Sequence, residues 1–200
     1  MNTKEKTKQH FNETAENYNE SEDGKFVEPM YENLVNEIQK SKGGNILDIG
    51  CGNGNLFTLL PDEKYELTGV DFCENMILEA KNRCGKKASF FVADAEELPF
   101  DDNTFDIIVC NASFHHYIHP NTVLMEIQRV LKDGGKLLIG DPYVPTPVRP
   151  LINLLTRFSP EGDHHFYGKR EMEKLFLNNG FDPISFQKTG PHTALHIGEK

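Results

Sequence analysis

Several common signatures are missing from this chain, and each absence removes a class of protein. No apolar run among its 200 residues approaches the length of a membrane-spanning helix. The opening segment, Met1 to His10, is polar and lacks the apolar stretch of a secretion signal. The four cysteines, Cys51, Cys73, Cys84 and Cys110, form no Cys-x-x-Cys pair, and three adjoin expected strands. Reduced thiols in or near a core are therefore expected. Basic residues are too few for a nucleic-acid face: 21 Lys and Arg against 31 Asp and Glu leave a formal charge of −10. No internal repeat or long low-complexity tract is present. The expectation is one cytoplasmic α/β domain over residues 1–200, without membrane insertion or a nucleic-acid partner.

The most informative residues present are Ile46 to Leu56, Ile-Leu-Asp-Ile-Gly-Cys-Gly-Asn-Gly-Asn-Leu. An apolar run reads as a buried parallel strand, and Leu56-Phe57 with Leu59-Leu60 reads as the inner face of the following helix. Between them Gly50, Gly52 and Gly54 leave the backbone open to a ligand. The dinucleotide fingerprint fails here, because its third glycine falls on Asn55. The phosphate-binding P-loop fails too, since no Gly-Lys-Ser/Thr follows. What remains is Asp-x-Gly-x-Gly-x-Gly.

Downstream, strands and helices alternate. Phe26 to Lys40 carries Met30, Tyr31, Leu34, Val35 and Ile38 at helical spacing. Strands are predicted at Asn45–Ile49, Leu67–Asp71, Ser89–Val92, Phe105–Cys110 and Lys136–Gly140, with helices around Met76–Ala80 and over Thr122–Leu131. Such alternation implies a parallel sheet with helices on both faces. Four prolines between Asp141 and Pro150 exclude regular structure there. A short covering helix is predicted at Leu151–Phe158 and another helix at Lys169–Asn178. Ile184–Lys188 and Thr193–Ile197 then form an expected antiparallel hairpin.

Glycine loop, strand-end acids and terminal hairpin together resemble class I S-adenosylmethionine-dependent methyltransferases over essentially the whole chain. Two further segments carry the resemblance: Val92-Ala93-Asp94-Ala95-Glu96-Glu97-Leu98-Pro99-Phe100, and Phe11-x-x-x-Ala15-x-x-Tyr18. It implies a Rossmann-like, mostly parallel seven-stranded sheet with a C-terminal antiparallel hairpin, and it implies S-adenosyl-L-methionine as cofactor and S-adenosyl-L-homocysteine as product. It places the cofactor against Asp48, Gly50, Cys51, Gly52, Asn53 and Gly54. Asp71, about 20 residues on, would take the ribose hydroxyls, or cap the next helix, and Phe72 would cover an adenine face or join the core. Asp94 and Ala95 would read the adenine. Asn111 ends the fourth strand, without the prolines of amide or nucleobase methylating enzymes, so the resemblance is to the subfamily acting on small molecules, quinone precursors included. Tyr18 would close over the cofactor, where an aromatic face favours a cation by roughly 0.5–2 kcal/mol, or anchor the N-terminal arm. The acceptor, a small molecule, would sit under a lid of residues 1–23 and an insertion of residues 142–168, in a monomer or homodimer.

His115 and His116 follow the fourth strand, where the acceptor side is expected. Imidazole titrates near neutrality, so either could take a proton from a hydroxyl nucleophile. Adjacent side chains are expected to diverge, and no cysteine frame accompanies them, so no metal is expected. Two other classes stay open at this point. A nicotinamide oxidoreductase would need the missing glycine and a Tyr-x-x-x-Lys that is also absent. A non-catalytic S-adenosylmethionine-binding module would keep the loop and lose the acceptor pocket.

Overall fold

A computed structural model describes residues 3–61 and 63–200 of the chain. Met1 and Asn2 of the expected lid lie outside the described residues. The N-terminal segment forms helix α1 (Thr3–Thr14), a 3-10 turn, α2 (Glu22–Val27) and α3 (Met30–Gln39). Then follow β1 (Gly44–Ile49), α4 (Asn55–Leu59), β2 (Tyr65–Asp71), α5 (Glu74–Cys84), β3 (Ala88–Val92) and β4 (Phe105–Asn111). The chain closes with α6 (Pro120–Val130), β5 (Leu131–Pro142), α7 (Arg149–Leu155), α8 (Lys169–Asn178), β6 (Asp182–Lys188) and β7 (Thr193–Glu199).

The strands make one seven-stranded sheet in the order β3-β2-β1-β4-β5-β7-β6. All pairings are parallel except those of β7, which runs antiparallel to both β5 and β6. Strand periodicity explains why the central strands read as continuous apolar runs. In β1, Ile46 faces one core with Leu34, Phe57 and Ile77, while Leu47 and Ile49 face another with Val123, Ile127 and Phe176. β4 repeats the division, with Ile107 and Val109 on the first side and Ile108 and Cys110 on the second. Strand order reverses between β1 and β4, which are direct neighbours. A crevice opens there beyond their carboxyl ends.

Local chemistry shifts several predicted boundaries. The helix expected from Phe26 to Lys40 is two helices, because Pro29 lacks an N–H and sits at the N-cap of α3. β5 begins at Leu131, which pairs with Phe105, and a register shift separates that pair from Ile107↔Lys136. Asp133-Gly134-Gly135, ahead of the predicted strand Lys136–Gly140, is therefore a bulge inside a longer strand, with Gly134 at φ 72°. Leu151–Phe158 does not cover the core: α7 buries no residue, and Leu151, Leu154 and Phe158 are exposed.

Candidate active site

The end of β1 turns sharply through Gly50, Gly52 and Gly54, all at positive φ. Gly50 and Cys51 donate their N–H groups to the Val70 carbonyl, tying the loop to β2. A Cβ at Gly50 would lie 2.5 Å from that of Ser113, and one at Gly54 would lie 2.9 Å from the Cys84 sulfur. At Gly52 the nearest neighbour would be the Met76 sulfur at 4.0 Å, so this glycine opens onto space. Asp71 completes the loop: one carboxylate oxygen accepts from Gly52 N–H at 2.9 Å and the other from Cys73 N–H at 2.8 Å. Burial raises the Asp71 pKa, opposed by those backbone donors.

These elements wall a cleft of about 980 Å³, its open mouth included. Of the residues expected at a cofactor, Tyr18, Gly50, Cys51, Gly52, Asn53, Asp71, Phe72, Asp94, Ala95 and Asn111 line it. Asp48 and Gly54 do not. Gly54 packs beneath the loop, against α5. Asp48 is buried behind it, and burial together with the Asp71 charge pushes its pKa up to about 8. Asp48, expected among the residues against the cofactor, thus stands behind the glycine loop with its carboxyl held above the ordinary aspartate range. Asp94 is engaged by the Lys4 ammonium from α1, which also reaches Glu96 at 3.3 Å. Lys4 and Lys8 lie 5.2 and 4.7 Å from the centre of the Phe72 ring. Among the described residues, buried oxygens on Asp48, Asn53 and Asn111 have no hydrogen-bond partner. Two of these three residues line the cleft. A ligand carrying both hydroxyl and ammonium donors fits those groups.

A second cavity, of about 780 Å³, shares Phe11, Tyr18, Ala112 and His116 with the first. It also draws on Glu22, Asp23, Phe26 and Val27, on His115, and on Pro142, Glu161, Asp163 and Phe166. Its position matches the expected acceptor side, between the N-terminal arm, the His115-His116 turn and the segment after β5. The Glu161–His165 loop reaches it because His164 and His165 donate N–H bonds of 2.9 and 3.0 Å to the His115 carbonyl.

The two histidines, expected as candidate proton acceptors, sit in opposite electrostatic surroundings. Burial opposes charge on His115, but Asp141, 2.9 Å from its Nδ1, and Asp163, 3.4 Å from its Nε2, outweigh that and raise its pKa to about 10. Burial and the neighbouring His115 charge push the His116 pKa below the ordinary imidazole range. The rings do not diverge as expected: their centres are 4.0 Å apart, and both approach Asp163. Lys4 and Tyr31 also line the first cleft, and Glu161 and Asp163 the second, without a motif that marks any of the four. The last two stand far along the chain from His116, in no local pattern with it.

Sheet order, the glycine loop at the strand reversal and the acid ending β2 define the class I methyltransferase architecture. Residues 47–139 match a family described as a methyltransferase domain. The chain is 28% identical over 186 residues to a demethylmenaquinone methyltransferase of Oceanobacillus iheyensis, covering 79% of this chain and 78% of that one. A methyltransferase from Aquifex aeolicus, described as S-adenosylmethionine-dependent, shares the fold with a TM-score of 0.67, at 22% identity over 86% of this chain and 89% of its own. So does a 1,6-didemethyltoxoflavin-N1-methyltransferase of Burkholderia thailandensis, solved with S-adenosylhomocysteine, with a TM-score of 0.77 at 17% identity over 96% and 86%. Together these matches support an S-adenosylmethionine-dependent methyltransferase of the kind that acts on small molecules. Among the described residues no helix is long and apolar enough to cross a membrane.

Proposed function

We propose that this enzyme methylates a compact hydroxylated aromatic acceptor, related to quinone precursors, bound in the second cavity. The observation that carries this reading is the junction of the two cavities at Phe11, Tyr18, Ala112 and His116. Phe11, Tyr18, Phe26 and Phe166 offer aromatic walls for a flat ring. The match to demethylmenaquinone methyltransferases supports the same class. S-Adenosylmethionine supplies an electrophilic methyl group, and the protein's contribution is alignment of the two partners.

In this reading Asp71 takes the ribose hydroxyls with the carboxylate lone pairs left after its two backbone bonds. Gly50, Cys51, Gly52, Asn53 and Asn111 hold the methionine end, while Phe72, Asp94 and Ala95 hold the adenine. Tyr18 closes over them. The described part of segment 1–23 acts as a lid, and residues 142–168 shape the acceptor side of one domain. Four free thiols suit a reducing cytoplasm. The acting unit is a monomer or homodimer.

The test is a screen of hydroquinones, phenols, thiols and amines, following S-adenosylhomocysteine release. Turnover confined to hydroxylated aromatics is expected. Turnover with amines or thiols alone would refute the acceptor class.

A further inference from the structure

The three side chains His115, His116 and Asp163 present one ligand atom each within 4.8 Å of one another. Their spacing discriminates between two kinds of contact. A charge-assisted hydrogen bond between imidazolium and carboxylate measures about 2.7–2.9 Å. The Asp163 carboxylate oxygen instead stands 3.4 Å from His115 Nε2 and 3.7 Å from His116 Nδ1. Ligands that share one ion at about 2.0–2.2 Å lie about 3.0–3.5 Å from each other. The His115 contact falls in that range, and the His116 contact lies slightly beyond it.

The surroundings agree with the spacing. His115 Nδ1–H donates to Asp141 at 2.9 Å, which fixes the ring with Nε2 turned to Asp163. A carboxylate on the far nitrogen is the usual support of a metal-bound histidine. His116 Nδ1 contacts the Gly162 carbonyl at 3.3 Å, a long bond that an ion could replace. Glu22, Asp23, Glu161 and Asp163 line the second cavity, and neither lysine nor arginine is among its described lining residues. A cation would offset that charge. The neighbouring trio His10, Asp23 and Glu161 differs, because His10 Nε2 lies 2.9 Å from Asp23, the length of an ordinary ion pair.

We propose that His115, His116 and Asp163 bind a zinc-class divalent ion on the wall between the two cavities, with Asp141 holding His115 in place, and that this ion receives the oxygen of the acceptor. Two imidazoles and one carboxylate suit zinc, cobalt(II) or iron(II), with coordination positions left open for substrate. The second half of the proposal rests on the methyltransferase reading. On binding the ion, the acceptor hydroxyl gives its proton to solvent. The oxygen lone pair then forms the new C–O bond as the C–S bond breaks, and the released electron pair makes the sulfonium a neutral thioether.

The full chain, stripped with a chelator and dialysed, is titrated with zinc chloride by calorimetry and with cobalt(II) by visible absorption. One ion per chain is expected, with the intense visible bands of four- or five-coordinate cobalt(II). Asp163→Asn or His116→Ala should weaken zinc binding at least a hundredfold, and Asp141→Asn about 10–100-fold. S-Adenosylhomocysteine binding is measured on the same wild-type sample. Protein that binds S-adenosylhomocysteine yet takes up neither zinc nor cobalt overturns the site and leaves the methyltransferase reading intact. Wild-type metal data need no variant to fold; variants that bind zinc as tightly as wild type also overturn the assignment.

Discussion

Gly50, Gly52 and Gly54 share a positive φ but meet different neighbours, and single substitutions should separate their roles. Gly54→Ala adds crowding against Cys84 to backbone strain, and overpacking costs about 1–3 kcal/mol. It should lower Tm clearly and change the affinity of the folded enzyme for S-adenosylhomocysteine little. Gly52→Ala meets no close atom and pays only the left-handed strain, about 1–2 kcal/mol. It should melt nearer to wild type yet bind S-adenosylhomocysteine at least tenfold more weakly. Melting curves beside calorimetry decide between these patterns. The alternate-glycine spacing was legible in the sequence because small residues at a strand end have few other uses. The split between binding and packing was not, since it depends on which α5 atoms lie beneath the loop.

Asp48 gives a second residue-scale expectation. Its pKa is about 8 in the folded protein against 3.8 for an ordinary aspartate, so the folded state holds a proton that the unfolded chain gives up. Its contribution is therefore fully present below about pH 4 and is lost as pH rises towards 8. Asp48→Asn removes that loss. Its Tm should exceed the wild-type value by more at pH 8.5 than at pH 5. An equal difference at both values would show that Asp48 is charged throughout.

At the scale of elements, the N-terminal arm is held by little apolar surface. No residue of α1 is buried, and its hold on the body includes the cluster of Phe11, Ala15 and Tyr18 with Cys73 and Met76, the Lys4 and Lys8 ion pairs and the Asn12–Asn75 hydrogen bonds. Exposed ion pairs contribute about 0–1 kcal/mol each. Local opening of α1 should therefore need far less free energy than global unfolding. Amide exchange over the α1 residues should be fast in the free enzyme and slow when S-adenosylhomocysteine is added, and Phe11→Ala should raise the free rate further. Equal protection with and without ligand would contradict a lid. The Phe11, Ala15 and Tyr18 spacing was readable as a face, and the three do meet. The break at Pro29 was misread because apolar spacing continues through it and only backbone chemistry interrupts it. The bulge at Asp133–Gly135 lay outside the predicted strand because Lys132 to Lys136 carries no apolar spacing to extend it.

For the molecule as a whole, the sheet was the most legible part. Its strands alternate with helices, and their apolar runs are long enough to be buried on both faces. The cofactor half was nearly as legible, because the fold places it at strand ends and a short motif marks each end. The acceptor half was not. Glu161, Asp163 and Phe166 come from a segment whose sequence carries no periodicity, and a main-chain clasp on the His115 carbonyl brings them to the site.

On the proposed function, this cleft binds S-adenosylmethionine through the loop that Asp71 organises. Calorimetry of S-adenosylhomocysteine against the wild-type chain and Asp71→Ala tests it directly, with NAD titrated in parallel. Expected are 1:1 binding by the wild type, at least tenfold weaker binding by the variant, and no heat with NAD. Tight NAD binding without S-adenosylhomocysteine binding, or an Asp71→Ala protein that stays folded and binds as well as the wild type, would contradict it.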